Sequence, residues 1–160
     1  MRLRMLYPAA LGLALLLTPG QASADLNFQA SLSSAQEVPV NGSTATGSGQ
    51  FVLNAAETNL AINVTFSGLS AAQTAAHIHG AAPPGVNAGV VFGFPLGSPV
   101  IQNWAIPAAH VLNLKAGLLY VNVHTTAFPG GEIRGQILAA VPVVPNSWGR
   151  VKAMYSSGAP

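Results

Sequence analysis

Three of the four histidines in this chain fall in two short segments, Ala76–Gly80 and Val121–Thr125. Both segments have the composition of β-strands, in which successive side chains point to opposite faces. His77 and His79 therefore share one face of the first strand, and His124 lies on one face of the second. Two imidazoles from one strand and a third from a neighbour provide three nitrogen ligands with an open position, an arrangement that suits copper or zinc.

The distance between the ring nitrogens distinguishes two interpretations of the cluster, a metal site and a hydrogen-bond network. Ligands about 2 Å from one ion bring the nearest ring nitrogens of His77, His79 and His124 within about 4 Å of one another. Imidazole ligands favour copper over zinc here. The alternative is that the histidines are structural. The fourth histidine, His110, lies in a predicted helix and is assigned to its solvated face.

Four further residues are candidates for a role around these histidines. Glu132 and Arg134 share a strand face, which predicts an ion pair or hydrogen-bond clamp that fixes the last strand. A functional alternative has Glu132 orient a histidine ring by accepting its second N–H. Asn122 and Tyr120, which alternate with the third histidine on its face, are candidates for the same orienting role, ranked below a packing role.

The composition limits the classes of function. Half of the 160 residues are hydrophobic and only 6% are charged, with frequent Gly and Pro, as in a turn-rich all-β domain. Beyond residue 24 the sequence contains four Lys and Arg residues and four Asp and Glu residues. The charges therefore balance, and no basic patch is left to bind nucleic acid. Cysteine is absent, which excludes disulfides and thiolate ligands. Without a G-x-S-x-G or phosphate-loop motif, an enzyme here would need a metal, for instance for copper-dependent redox chemistry such as superoxide dismutation.

The first 24 residues have the three parts of a secretory signal peptide. Arg2 and Arg4 form the basic start, Met5–Leu17 is apolar, and an A-x-A cleavage site ends at Ala24. The apolar run is shorter than the roughly twenty residues that a membrane span needs. The sequence therefore predicts a secreted or periplasmic protein without a retained membrane span.

Alternation predicts the remaining elements. Strands are expected at 26–32, 49–55, 60–66, 74–79, 90–92, 99–104, 118–125 and 132–138, with hairpins joining the second to the third and the seventh to the eighth. Pro107 and Gly117 bracket a short helix, with Val111, Leu114 and Leu112 toward the core. The domain is expected to span residues 25–138, followed by an extended tail at 139–160.

Three separated motifs resemble the CHRD domain, the module repeated in chordin and found singly in many secreted bacterial proteins. They are Leu32–Pro39, Ala75–Gly80 with Pro84-Gly85, and Leu119–Thr125 continuing through Pro129–Gln136. The resemblance covers nearly all of the mature domain. It implies an extracellular protein-interaction or adhesion module without catalysis, whose partner is another extracellular protein.

The His-x-His strand and the later Val-His strand also resemble the copper-binding elements of copper–zinc superoxide dismutase, a Greek-key sandwich of immunoglobulin type. This likeness implies copper ligation by His77, His79 and His124 in an all-β Greek-key β-sandwich with one short helix. The zinc ligands, bridging histidine and disulfide of that enzyme have no counterparts, because Asp25 is the only aspartate and cysteine is absent. The leading hypothesis is thus a secreted CHRD-type protein that binds one metal ion, copper ahead of zinc.

Overall fold

A computed structural model describes residues 24–140, which form nine β-strands and one α-helix. The predicted signal peptide, apart from Ala24, and the tail beyond residue 140 lie outside the described residues. A short 3-10 helix, Ser34–Gln36, follows the first strand. The elements are β1 (Leu26–Ser33), β2 (Thr46–Leu53), β3 (Leu60–Ser67), β4 (Gln73–His79), β5 (Val90–Gly93), β6 (Val100–Trp104), α1 (Ala108–Lys115), β7 (Tyr120–Thr125), β8 (Ile133–Gln136) and β9 (Leu138–Ala139).

The strands form one antiparallel sheet in the order β5-β4-β7-β8-β1-β2-β3-β6, with β9 paired to β1. Among these eight strands the chain crosses between the two four-stranded halves three times, from β3 to β4, from β5 to β6 and from β6 to β7, as in a Greek key. Only one aligned residue pair, Ser33 with Arg134, joins the halves between β1 and β8. Both predicted hairpins, β2–β3 and β7–β8, are confirmed.

The two edge strands meet through aromatic rings. Phe92 of β5 and Trp104 of β6 stack with ring centroids 4.9 Å apart and an interplanar angle of 20°. The sheet is therefore nearly closed and barrel-like. The predicted all-β fold with one short helix is confirmed, with both layers of the sandwich belonging to one sheet.

The alternation of buried and exposed residues along the strands explains which side chains form the core. Alternate residues of β1, β2 and β3 point inward, as the period of a strand with one buried face requires. These inward residues are Phe28, Ala30, Leu32, Phe51, Leu53, Leu60, Ile62 and Val64. The strand β7 is different, because every one of its residues is buried. Its apolar face joins the core, and loops cover its polar face.

The helix α1 packs one face against the hydrophobic core. It begins directly after Pro107, and Gly117 follows it with a φ of 68°, a conformation that glycine adopts without strain. Val111 and Leu114 are buried, as predicted. The inward placement of Leu112 is wrong, because this side chain is 70% exposed on the opposite face of the helix.

Candidate metal centre

The strands β4 and β7 lie side by side and bring the three strand histidines to one face. In the antiparallel register, His77 is opposite Asn122, His79 is opposite Tyr120, and His124 is opposite Ala75. One ring nitrogen from each histidine lies within 4.8 Å of the other two. The cluster is slightly wider than the separation of about 4 Å expected for a bound ion.

Two of the rings are held by backbone carbonyl groups. His79 Nδ1 lies 2.9 Å from the carbonyl oxygen of Ala88, and His124 Nδ1 lies 3.0 Å from that of Pro129. Because a carbonyl oxygen only accepts hydrogen bonds, both Nδ1 atoms carry the proton. The Nε2 atom of each ring is then left with a free lone pair, which is the form that binds a metal.

The cluster contains three buried ring nitrogens that have no hydrogen-bond partner among the described residues: Nδ1 of His77, Nε2 of His79 and Nε2 of His124. Buried polar atoms in folded proteins are nearly always paired, so each exception needs an explanation. Three such atoms in adjacent rings could serve as the ligands of one ion.

Burial keeps these imidazoles neutral. It lowers the pKa of His77, His79 and His124 below the ordinary value of 6.5. The hydrogen bond to Ala88 opposes this shift in His79, whereas positive charge on the neighbouring histidines and on Arg134 adds to it. At neutral pH the rings are therefore uncharged, as metal ligation requires.

Tyr120 supports the cluster by packing. Its ring lies parallel to that of His79, with centroids 5.0 Å apart and an interplanar angle of 9°. Its hydroxyl oxygen accepts a hydrogen bond of 2.9 Å from the backbone N–H of Ala88, the residue whose carbonyl holds His79. Tyr120 therefore fixes the ring and the loop that orients it, and does so without bonding to a ring nitrogen.

Comparison with known protein families covers both histidine strands. A family model described as CHRD domain matches residues 28–137. The chain belongs to the CHRD domain family. No curated protein and no solved structure matches it, so the likeness to the copper site of superoxide dismutase stays a prediction. In the described part of this CHRD domain, no helix is long and apolar enough to cross a membrane.

The predicted clamp between Glu132 and Arg134 is wrong. Among residues 24–140, the one ion pair joins Lys115 to Glu57. Glu132 is fully buried just before β8, where its carboxylate accepts hydrogen bonds of 2.6–2.7 Å from the Ser43 hydroxyl, the Ser70 N–H and the Thr125 hydroxyl. These donors satisfy the carboxylate, and Glu132 contacts none of the three histidine rings by a hydrogen bond.

Arg134 has a different set of partners. Its guanidinium carbon lies 3.5 Å from the ring centroid of Tyr120, a cation–π contact. Its N–H groups donate to the carbonyl of Val86 at 2.9 Å and to the side-chain oxygen of Asn87 at 3.3 Å. Since Ala88 follows directly in the same loop, Arg134 helps to hold the loop that orients His79.

Glu37 was not among the residues predicted to lie around the histidines. This carboxylic acid of the CHRD motif is only 4% exposed. Burial raises its pKa to about 7, against the opposing charge of Arg134 and a hydrogen bond from Asn122. The Asn122 side-chain amide donates weakly to Glu37 and to the Gly130 carbonyl, each at 3.5 Å, and so serves this neighbouring network instead of a histidine ring. The signal available in the sequence for a special role of Glu37 was its charge, because only 6% of the residues are charged.

His110 lies outside the cluster. It is half-buried on α1, where its ring packs against Trp104 with centroids 5.5 Å apart. The expectation that it is not a ligand of the strand cluster agrees with this position. Its contact with Trp104 replaces the solvated face that the sequence suggested.

Proposed function

We propose that this chain is an exported CHRD-domain protein that binds one metal ion, copper ahead of zinc, through His77, His79 and His124. The observation that carries the proposal is the set of three buried, unpartnered ring nitrogens in adjacent rings. A hydrogen-bond network would have paired these atoms with one another or with neighbouring groups.

The electrostatic surroundings suit a divalent cation held by neutral ligands. The three lowered pKa values leave the imidazoles uncharged. Three histidines with an open fourth position can bind either Cu²⁺ or Zn²⁺, and copper binds nitrogen ligands more tightly in the general order of divalent metals. When bound, copper supplies Lewis acidity and one-electron chemistry, while the chain supplies the ligands and their orientation.

Export is part of the proposal and rests on residues 1–24. Their basic, apolar and A-x-A parts give the pattern of a signal peptide. A secreted or periplasmic location also agrees with the neutral, cysteine-free composition, which depends on no reducing compartment.

The test is metal analysis of the mature protein. After dialysis against Cu²⁺ or Zn²⁺, we expect one equivalent of metal per chain, with copper displacing zinc. The double variant His77→Ala, His79→Ala should bind less than about a tenth of an equivalent, because two of three ligands are gone. His110→Ala is the matched control and should bind as the parent does. Equal binding by the double variant and the parent would contradict the proposal.

A non-catalytic interaction module is the second candidate. It is favoured by the hydrogen bonds from His79 and His124 to the loop carbonyls of Ala88 and Pro129. These hydrogen bonds give both rings a structural role in holding the loops. In that case metal should leave the melting temperature unchanged, whereas a bound ion raises it by mass action. Thermal unfolding with and without one equivalent of Cu²⁺ separates the two functions.

A further inference from the structure

The three histidines of the cluster are held unequally. His79 and His124 are each tied to a carbonyl, and both are less than a tenth exposed. His77 is partly exposed, and its buried Nδ1 has no partner among the described residues. The backbone hydrogen bonds that act on the other two rings have no counterpart at His77.

Coordination requires one ring to move. Two nitrogens that each lie about 2.1 Å from one ion are no more than about 4.2 Å apart. The ring nitrogens of the cluster lie within 4.8 Å of one another, a looser arrangement. Rotation of His79 or His124 would break a carbonyl hydrogen bond, which costs about 1 kcal/mol. His77 can move inward without such a loss.

On the side away from β7, His77 borders open space over the edge strand β5. In the register between β4 and β5, His77 is opposite Gly93, so a side chain at either position lies on the same face. A Cβ built on Gly93 would meet no atom within 4 Å. The side of the cluster next to His77 is thus open, while His79 and His124 are covered by the loops that hold them.

We propose that His77 is the exchangeable ligand, past which the ion enters and leaves, and that His79 and His124 form a fixed pair. This inference rests on the proposed function. It assigns the site to metal exchange with an outside ligand instead of permanent structural binding. With an ion bound, His79 and His124 would hold it, and His77 would be the ligand that gives way to an incoming donor. No electron is transferred, and the ion keeps its charge.

Release kinetics test the order of exchange. The copper-loaded protein is mixed with excess EDTA, and loss of the copper absorption is followed by stopped flow. We expect His77→Ala to retain one equivalent of copper and release it at least tenfold faster, and His79→Ala to lose binding. Gly93→Val, which fills the open space, should slow release about tenfold at unchanged stoichiometry. His110→Ala is the control.

Two results would overturn the inference while leaving the proposed function intact. One is loss of copper from His77→Ala as complete as that from His79→Ala, and the other is an unchanged release rate in Gly93→Val. A parent protein that binds no copper would instead refute the proposed function, and the exchange role with it.

A measurement without metal checks the asymmetry even if a variant folds poorly. Nitrogen-15 NMR of the ring atoms in the metal-free protein should show a single Nδ1–H tautomer for His79 and His124. His77 should show averaged signals from both tautomers, because no carbonyl selects one. A single fixed tautomer for His77 would contradict the inference.

Discussion

The rings of His79 and Tyr120 lie parallel across the β4–β7 pair, 5.0 Å apart. The tyrosine hydroxyl also binds the N–H of Ala88, whose carbonyl orients the histidine. Tyr120 thus fixes the ring of His79 in two ways, by stacking on its face and by holding the loop residue whose carbonyl orients it. Such supporting contacts commonly account for a 10–100-fold difference in metal affinity.

Removing only the hydroxyl separates these two contributions. Tyr120→Phe keeps the stacked ring and frees the loop at Ala88, so we expect about tenfold weaker copper binding. Competition against a chelator of known affinity measures the change. Ser48→Ala, which removes a hydroxyl from the exposed face of β2, is the control and should bind copper as the parent does. An unchanged affinity in Tyr120→Phe would show that the ring alone supports His79.

The buried carboxylate of Glu132 should contribute strongly to stability. Burial alone would raise its pKa, but hydrogen bonds from Ser43, Thr125 and Ser70 outweigh that effect and leave the pKa below the usual value. Glu132→Gln places an amide N–H₂ against donors and should lower the free energy of unfolding by about 3 kcal/mol. Urea unfolding measures the loss. Glu57, a half-exposed carboxylate paired with Lys115, is the control, since Glu57→Gln should cost under about 1 kcal/mol.

Glu37 should make stability depend on pH in the opposite sense from an ordinary ion-paired acid. Its pKa rises from 4.5 in the unfolded chain to about 7 in the fold. Between these values the folded protein keeps a proton that the unfolded chain has lost, so stability falls as pH rises. The full effect is about 3 kcal/mol.

The variant Glu37→Gln resembles the neutral acid and should lack this fall. We therefore expect the stability of the parent, relative to the variant, to decline as pH rises from 4.5 to 7. Urea unfolding of both proteins across this range measures the difference. Parallel curves would mean that Glu37 does not hold its proton in the fold.

Metal affinity should resist mild acid. The pKa values of His77, His79 and His124 lie below 6.5, so protons compete with the ion only at pH values lower than that. Chelator competition should give a nearly constant copper affinity from pH 7.5 to about 6.5 and a decrease below it. A peptide of residues 73–80, whose histidines are solvated, is the reference and should lose affinity at higher pH. Coincident profiles would contradict the expectation.

Local pattern was enough to predict the strands and the shared face. The alternation in β3 and the bracket of Pro107 and Gly117 around α1 each depend on neighbouring residues alone. The shared face of His77 and His79 follows from the period of a strand in the same way. These features are confirmed because no distant contact competes with them.

The surroundings of the histidine cluster depend on contacts between residues far apart along the chain, so they could not be predicted from local sequence pattern. The carbonyls that hold His79 and His124 belong to loop residues Ala88 and Pro129, whose backbone direction no side-chain pattern encodes. Arg134 was paired with Glu132 because they are two residues apart. In the fold, each side chain finds nearer partners from loops far along the chain. Glu37 is buried for the same reason.

The Greek-key crossing also determines when the cluster can form. Every pairing between β4 and β7 spans β5, β6 and α1, so the two histidine strands are joined by contacts between residues far apart along the chain. Contacts between residues far apart along the chain are late and slow to form. Capture of an ion by all three histidines would therefore require this long-range pairing to have formed. A chain that has not completed this crossing offers no three-histidine site, and metal would add stability to finished domains alone.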